Sequence, residues 1–516
     1  MDVGSRKQLF IDNKFIEKQE GIILCMNPPV KAGTALVPET PWEKGGIACT
    51  SIISKDSESW MCYHSSFKVE KSLGQFMNVN ANVEDKTATV MCLAVSKDGV
   101  AWQRKHAGRF IILGSKDNNI VLPESIGTVF VDPHKTDGFS YWFFGQMREN
   151  PWWDGAKGTT CTWSPMEGSL HLARSRDGLS WERVPGHALP FLCDTQNQVF
   201  FDTRLNKYVF YTRGWEFPNQ AGDYGRVVCR GETDQLLKFP WPFQANPARK
   251  TGPRGLYGTV NTELPIVMRC DKEDPPVTDL YNPCVHQYSE AADVYVAFPS
   301  QYRHYDAKFN SHGRDKRGQA DDKGNDGPLD IACAVSRDGV KWNRFRQPYV
   351  RLDQIGAVDG GALYMATGMI IKDHEIWQYY TAISATHGNI SQNNSVIIRL
   401  VQRLDGFVSA DAGPQGGELT TPVIKFRGNR LQLNIDCGAM GEAWVEILDK
   451  DGNSIKGYAM DDAVSVDRNG VAQEVWWKKG PDVSSLSGKP VRMRIKMRSS
   501  KLYSFMFTPA ECSGND

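Results

Sequence analysis

One short pattern recurs along the chain and limits its fold more than any other sequence feature. The pattern Ser-(Lys/Arg)-Asp-Gly-x-x-Trp occurs at residues 96–102, 175–181 and 336–342, each time after a run typical of a β-strand. Two weaker copies, around Asp234 and Asp405, keep the aspartate. An Asp-Gly pair between two strand-like runs predicts a hairpin, because glycine tolerates the positive φ of a tight turn.

The spacing of these turns predicts a repeat fold. The five aspartates lie about 77 residues apart on average, which suits a four-stranded unit with long loops. Each repeat also holds a pair of strand-like runs, and the sequence lacks the spacing of a long amphipathic helix. We therefore expect an all-β fold: a five-bladed β-propeller over residues 1–412, with the run at residues 8–16 supplying a strand that closes the ring.

The sequence changes character after the Gly/Pro-rich segment at residues 411–417. Beyond it, short runs separated by turns alternate between apolar and polar residues, as in residues 491–497. Such alternation indicates strands with one buried and one solvated face. We expect residues 413–516 to form a C-terminal β-sandwich.

The composition argues against several classes of partner. The 516 residues include 60 Lys and Arg and 60 Asp and Glu, so the formal net charge is zero. A chain without net charge has no overall field to attract nucleic acid or an anionic membrane, and no apolar run is long enough to span a bilayer. Residues 1–7 lack a hydrophobic signal segment. A periplasmic or secreted location is favoured if an export signal was removed, and a cytoplasmic one otherwise, while the oligomeric state stays open.

The 12 cysteines are spread along the chain without a CxxC pair or zinc-ligand spacing. Several lie in apolar runs, so we expect buried free thiols and no bound metal. The acidic loop at residues 319–327 lacks the terminal glutamate of an EF-hand and is interpreted as solvated. No cofactor is expected to be required, although a structural calcium stays compatible with the sequence.

Carboxylates stand where each of the five predicted inner strands begins. In a propeller these positions line the central funnel. Carboxylates that converge shift one another's pKa, so one can hold a proton while its neighbour stays ionised. The residues, one for each repeat, are Glu43, Glu124, Asp194, Asp279 and Asp359.

Other polar and aromatic residues follow the inner strands. Guanidinium and imidazole groups can bind sugar hydroxyl or carboxylate groups, and indole rings can stack on sugars. The alternatives are salt bridges for the arginines and blade packing for the tryptophan. The candidates for substrate binding are Arg148, Arg213, Trp215, Arg303 and His387.

The layout resembles the propeller glycosidases of glycoside hydrolase families 32, 43 and 117. A sandwich after the propeller is similar to family 32, and the Ser-x-Asp-Gly-x-x-Trp turns look like a shortened sialidase Asp-box. The resemblance implies that Glu43, Glu124 and Asp194 are catalytic. Glu43 would be the base or nucleophile, Glu124 a stabiliser or pKa modulator and Asp194 the general acid, with the last two roles exchangeable. The Trp-x-Asn-Asp-Pro, Arg-Asp-Pro and Glu-Cys motifs of family 32 are absent.

Three functions follow from these observations. The first is an exo-acting glycoside hydrolase on oligosaccharides from plant or algal polysaccharides. The second is a propeller that binds carbohydrate without cleaving it. The third is a polysaccharide lyase, with Tyr302 or His387 as base and an arginine that neutralises a uronate. Paired carboxylates in an open pocket would favour hydrolysis, and an Arg-rich floor with Tyr or His would favour the lyase.

Overall fold

The computed structural model is 53% strand and 4% helix, which confirms the all-β class. It describes residues 1–56, 58–70, 73, 87–123, 125–147, 169–191, 193, 196–216, 225–244, 264–275, 277–305, 326–388 and 395–509. Within these ranges, no helix has both the length and the apolarity that a membrane crossing demands. Short 3-10 turns occur at Asn13–Phe15, Pro41–Glu43, Thr136–Gly138, Met460–Asp462 and Ser484–Leu486.

Antiparallel sheets follow one another along the chain. The N-terminal strands are β1 (Asp2–Gly4), β2 (Gln8–Leu9), β3 (Lys18–Glu20), β4 (Ile22–Met26) and β5 (Val30–Leu36). Unit one has β6 (Ile47–Asp56), β7 (Ser59–Glu70), β8 (Thr87–Ser96), β9 (Gln103–Arg104) and β10 (Ile120–Leu122). Unit two has β11 (Ser125–Val131), β12 (Tyr141–Met147), β13 (His171–Ser175) and β14 (Trp181–Arg183).

Three further units follow. Unit three has β15 (Gln198–Asp202), β16 (Lys207–Glu216), β17 (Gly225–Thr233) and β18 (Ile266–Met268). Unit four has β19 (Thr278–Tyr281), β20 (Val285–Gln287), β21 (Tyr295–Ala297), β22 (Ser300–Arg303), β23 (Leu329–Ser336) and β24 (Asn343–Val350). Unit five has β25 (Ala362–Met365), β26 (Ile370–Lys372), β27 (Glu375–Ile383) and β28 (Ser395–Arg403), with β5 as its outer strand. Units four and five share one 11-stranded sheet, because β23 and β25 pair in parallel at Leu329 and Ala362.

Hydrogen bonds join each unit to the next and return from the fifth unit to the first. They run from the Val129 N–H to Ser51 Oγ (2.8 Å), Thr128 Oγ1 to the Asn197 carbonyl (2.7 Å), the Val285 N–H to Gln198 Oε1 (2.8 Å), Ser300 Oγ to the Leu363 carbonyl (2.8 Å) and Thr367 Oγ1 to Ser51 Oγ (3.0 Å). The units therefore close into a ring. We interpret them as the blades of the predicted propeller.

Most of the last strands form two further sheets, which enclose an apolar core. The bounds of the last strands are β29 (Val408–Ala412), β30 (Gly417–Thr420), β31 (Lys425–Phe426), β32 (Arg430–Asp436), β33 (Glu442–Asp449), β34 (Asn469–Glu474), β35 (Val491–Arg498) and β36 (Ser500–Thr508). Strand β31 pairs separately with β1 in a short parallel sheet. Strand β35 alternates between buried and less buried residues. That alternation is the pattern on which the sandwich was predicted.

The N-terminal strands pair with this sandwich. Strand β2 pairs with β36, β3 with β30 and β4 with β29. The expected ring-closing strand at residues 8–16 is therefore wrong, and β5 closes the ring by pairing with β28. The physical reason is burial, since Phe10 and Phe15 lie in the sandwich core. The sandwich sheets thus take strands from both ends of the chain, whereas the sequence placed residues 1–412 in the propeller.

The repeated turns have one shared structure. In each, the aspartate Oδ1 accepts main-chain N–H groups two and three residues later, as Asp338 does from Val340 and Lys341 at 2.8 Å each. The glycines adopt φ values of +71°, +75° and +72° at residues 99, 178 and 339, where residues with a Cβ are strained. The turns are therefore structural hairpins, as expected.

Candidate functional site

Polar and aromatic side chains collect where units three, four and five meet. We call this group the rim cluster. Ion pairs, cation–π contacts and ring contacts link its members. They are Arg213, Trp215, Arg226, Asp279, Tyr281, Tyr302, His304, Tyr364 and His387.

Asp279 is the anionic centre of the rim cluster. Its Oδ2 accepts hydrogen bonds from the Arg226 main-chain N–H (3.1 Å), Arg226 Nη1 (3.0 Å) and His304 Nε2 (3.0 Å). The residue is only 2% exposed. Burial alone would raise the pKa of Asp279, but the Arg226 guanidinium and the His304 bond outweigh it and hold the pKa below its usual value. Asp279 is therefore ionised and cannot serve as a proton donor near neutral pH.

Tyr302 faces Asp279 across the β19–β22 pair. Its ring centre lies 3.9 Å from that of His304 and 4.9 Å from that of His387. The hydroxyl of Tyr364 lies 2.7 Å from His387 Nδ1. Burial raises the pKa of Tyr302 well above its usual value, so the phenol keeps its proton and can donate it to a hydrogen bond.

Arg213 and Trp215 line the side of the rim cluster that belongs to unit three. They stand two residues apart on β16, so their side chains share one face of the sheet. The guanidinium carbon of Arg213 lies 3.8 Å from the Trp215 ring centre and 5.4 Å from that of Tyr281. Such contacts fix the plane of the guanidinium. The arrangement can present an oriented hydrogen-bonding group beside a flat apolar ring.

The structure brings five of the predicted residues together, namely Arg213, Trp215, Asp279, Tyr302 and His387. Arg303 is exposed and alternates with Tyr302 along β22, so the two side chains lie on opposite faces of the sheet. Asp359 lies apart from the cluster. Its Oδ2 accepts from Lys31 Nζ at 2.5 Å and from the Tyr380 hydroxyl at 2.9 Å. The predictions for Glu124, Asp194 and Arg148 fall outside the described residues.

Glu43 lies in unit one as a buried ion-pair partner. Its side chain is 0% exposed. His64 Nε2 lies 3.1 Å from Oε1, Arg104 Nη2 lies 2.7 Å from Oε2, and the Glu39 and Thr40 N–H groups also bond Oε2. Burial would raise the pKa of Glu43, but the bonds from His64 and Arg104 prevail and lower it strongly. These contacts explain a structural role, and the catalytic role stays a prediction.

Sequence reasoning missed Tyr281, Tyr364 and Arg226. Tyr281 could have been found, because it follows Asp279 by two residues and so shares its face of β19. Arg226 lies on the third strand of its unit, whereas the predicted carboxylates stand where the first, inner strand of each unit begins. Its partner Asp279 is 53 residues further along the chain.

Comparisons with known proteins do not by themselves identify the function. Comparison with protein-family models finds no match, and comparison with curated proteins finds none. Among solved structures, one named "Glycoside hydrolase" is similar at 13% identity and a TM-score of 0.42, covering 73% of this chain and 92% of its own. A Bombyx mori GH32 β-fructofuranosidase has 10% identity and a TM-score of 0.41, covering 94% and 96%.

A third solved structure is a Bacillus subtilis glycoside hydrolase family 43 arabinoxylan arabinofuranohydrolase in complex with cellotetraose. It has 12% identity and a TM-score of 0.35, and the match covers 93% of this chain and 100% of the other. Similarity at this level does not assign an activity.

Metal ligation has no candidate in the part of the chain that the structure describes. A search of those residues finds no group of three or more His, Cys, Asp or Glu side chains that could hold an ion. The nine described cysteines are free, and seven of them are buried. The cysteines thus agree with the expected buried thiols.

Proposed function

We propose that this protein is a glycoside hydrolase that acts on the chain ends of oligosaccharides from plant or algal polysaccharides. The observation that carries the proposal is the rim cluster, where aromatic rings, two arginines and an ionised carboxylate converge at one side of the closed ring. Sites for small polar ligands combine apolar walls with a few oriented polar groups. The funnel expected of a propeller suits a chain end better than the middle of a chain.

Hydrolysis needs one carboxylic acid to protonate the leaving oxygen and a second carboxylate to activate water or attack carbon. Asp279 is ionised and bonded to Arg226 and His304, so it fits substrate binding. We assign the two chemical roles to Glu124 and Asp194. Glu124 directly precedes β11 and Asp194 precedes β15 by four residues, so both stand where inner strands begin. Glu43 keeps the structural role that its contacts support.

A polysaccharide lyase is the second candidate, and one observation favours it. The Tyr302 ring lies in a cluster with two histidines and Arg226. In a lyase, a base removes the proton next to the uronate carboxylate, the bond to the leaving oxygen breaks and a carbon–carbon double bond forms. That chemistry needs His387 as base, an arginine beside the carboxylate and the protonated phenol of Tyr302 to donate a proton to the leaving oxygen.

One experiment separates the two reactions. The pure protein is incubated with neutral and uronate-containing plant and algal oligosaccharides, and products are followed by chromatography and ultraviolet absorbance. Hydrolysis releases saturated sugars, and Glu124→Gln or Asp194→Asn should lower kcat by about 10²–10⁴. Asp98→Asn, in a structural turn, is the control and should keep its turnover. An ultraviolet-absorbing unsaturated product that disappears in Tyr302→Phe would establish the lyase instead.

A further inference from the structure

Two buried polar atoms of the rim cluster have no hydrogen-bond partner among the described residues. They are Asp279 Oδ1 and the hydroxyl of Tyr302. Asp279 is 2% exposed and Tyr302 is 0% exposed. Buried polar groups are seldom left unpaired. Two such atoms in one place therefore call for a ligand that supplies the missing partners.

The two residues are neighbours in the sheet. Asp279 and Tyr302 are directly paired residues of the antiparallel strands β19 and β22. Side chains of such a pair lie on the same face of the sheet, with Cβ atoms about 4.5–5.5 Å apart. Both side chains therefore lie on the same face of the β19–β22 sheet.

The two atoms are also complementary in hydrogen bonding. The Asp279 carboxylate is ionised, so Oδ1 can only accept, while Oδ2 is already bonded to Arg226 and His304. The Tyr302 phenol keeps its proton and can donate. An acceptor therefore stands beside a donor. One ligand group that donates to the first and accepts from the second would satisfy both.

The surroundings indicate the chemistry of that group. An alcohol both donates and accepts hydrogen bonds, whereas an ionised carboxylate only accepts them and an ammonium group only donates them. Aromatic rings stand beside it, with the Tyr281 and His387 ring centres 5.4 Å apart. The charge of Arg226 is offset by Asp279 at 3.0 Å, so this ion pair adds no net charge beside the two atoms. These features fit a neutral sugar.

We propose that Asp279 Oδ1 and the Tyr302 hydroxyl together bind one hydroxyl group of a neutral terminal sugar. The sugar hydroxyl donates to Asp279 and accepts from Tyr302, and its ring lies against the aromatic side chains of the rim cluster. This inference rests on the proposed function, because it assigns a sugar-binding role to the same site. Its test measures binding rather than turnover, so that the two can fail separately.

The test uses the intact protein and saturation-transfer NMR. The probes are D-galactose, D-glucose, D-mannose, D-xylose, L-arabinose and L-fucose, with D-glucuronate as the charged comparison. The wild type should bind at least one neutral sugar. Tyr302→Phe removes only the hydroxyl and should weaken that binding about tenfold, the scale of one hydrogen bond. Its melting temperature should stay unchanged, because the hydroxyl bonds no described residue.

Tyr211→Phe is the matched control. The Tyr211 hydroxyl bonds the Gly339 carbonyl at 2.7 Å, so this variant should lose stability and keep sugar binding. Unchanged binding in Tyr302→Phe would overturn the inference, and so would a wild type that binds none of the probes or only glucuronate. Binding that depends on Tyr302 in a protein that hydrolyses no oligosaccharide would support the inference while the proposed function fails.

Discussion

The phenol of Tyr211 in unit three donates a 2.7 Å hydrogen bond to the main-chain carbonyl of Gly339, in the repeated turn of unit four. Tyr63 bonds Gly178 in the same way at 3.0 Å, and Tyr379 bonds Gly99. A Cβ at position 339 would lie 2.6 Å from the Tyr211 hydroxyl oxygen. The glycine of the repeat is therefore required both by its positive φ and by the phenol of the preceding unit. The turn motif joins neighbouring units as well as closing its own hairpin.

Tyr211→Phe should destabilise the protein by about 0.5–1.5 kcal/mol, the usual net value of one hydrogen bond. Gly339→Ala should cost more, because it adds strain at φ +72° and a clash with the phenol. Urea unfolding measures both changes. A Gly339→Ala variant as stable as the wild type would contradict this account of the junction.

Asp177→Ala should lower the melting temperature and leave turnover per folded molecule unchanged. Asp177 Oδ1 accepts from the Leu179 and Ser180 N–H groups at 2.8 and 2.7 Å, so its loss leaves the turn without its bonds. The expected cost is about 1–2 kcal/mol. Calorimetry and an activity assay at low temperature check the two parts. A variant of full stability with lost turnover would show a chemical role for Asp177.

Glu43→Gln should destabilise the fold by about 3 kcal/mol or more, because it leaves the fully buried His64 without its carboxylate partner and Arg104 with Glu39 alone. The folded-state pKa of Glu43 is lowered. Its stabilisation is therefore present above the unfolded pKa of about 4.3 and is lost as the pH falls below that value. Denaturant unfolding between acidic and neutral pH should show a smaller loss in the variant than in the wild type.

Glu182→Gln is the control for Glu43. Glu182 pairs with Arg174 at 2.6 Å, but its side chain is 53% exposed, so solvent screens the pair and the loss should be about 0–1 kcal/mol. If both variants lose equally little stability and only Glu43→Gln loses turnover, Glu43 is catalytic after all.

Arg213→Lys should raise KM and leave kcat nearly unchanged. The guanidinium lies 3.8 Å from the Trp215 ring centre, and lysine cannot reproduce its planar fork of donors. Steady-state kinetics on the substrate found in the screen measures the effect, with Arg174→Lys at an exposed salt bridge as the control. An unchanged KM would assign Arg213 to packing alone.

Removal of residues 413–516 should cause aggregation. Strands β2, β3 and β4 would lose their partners or neighbours in the sandwich, and Phe10 and Phe15 would be exposed from its core. Exposed apolar patches of this kind promote association. Size-exclusion chromatography reports the outcome. A soluble and monomeric product would show that the ring does not depend on the sandwich.

Local sequence patterns were sufficient to predict the class of fold and its repeated turns. An Asp-Gly turn is specified within a few residues, because the aspartate bonds amides two and three positions later. Apolar alternation likewise marks a strand wherever one face is buried. The all-β class and the structural turns were therefore predicted correctly, and Asp279 was found because the repeat marks where inner strands begin.

The sequence by itself thus determined the units, and the tertiary structure decided which of them meet. Two segments, residues 8–16 and Val30–Leu36, could each have closed the ring. Because Phe10 and Phe15 are buried in the sandwich core, Val30–Leu36 closes it. Glu43 lies just before an inner strand and Asp279 lies at the start of one, yet Arg104, 61 residues away, binds Glu43 in the interior. Asp279 instead meets Arg226 and Tyr302. Such pairings depend on packing between distant segments, which no local pattern encodes.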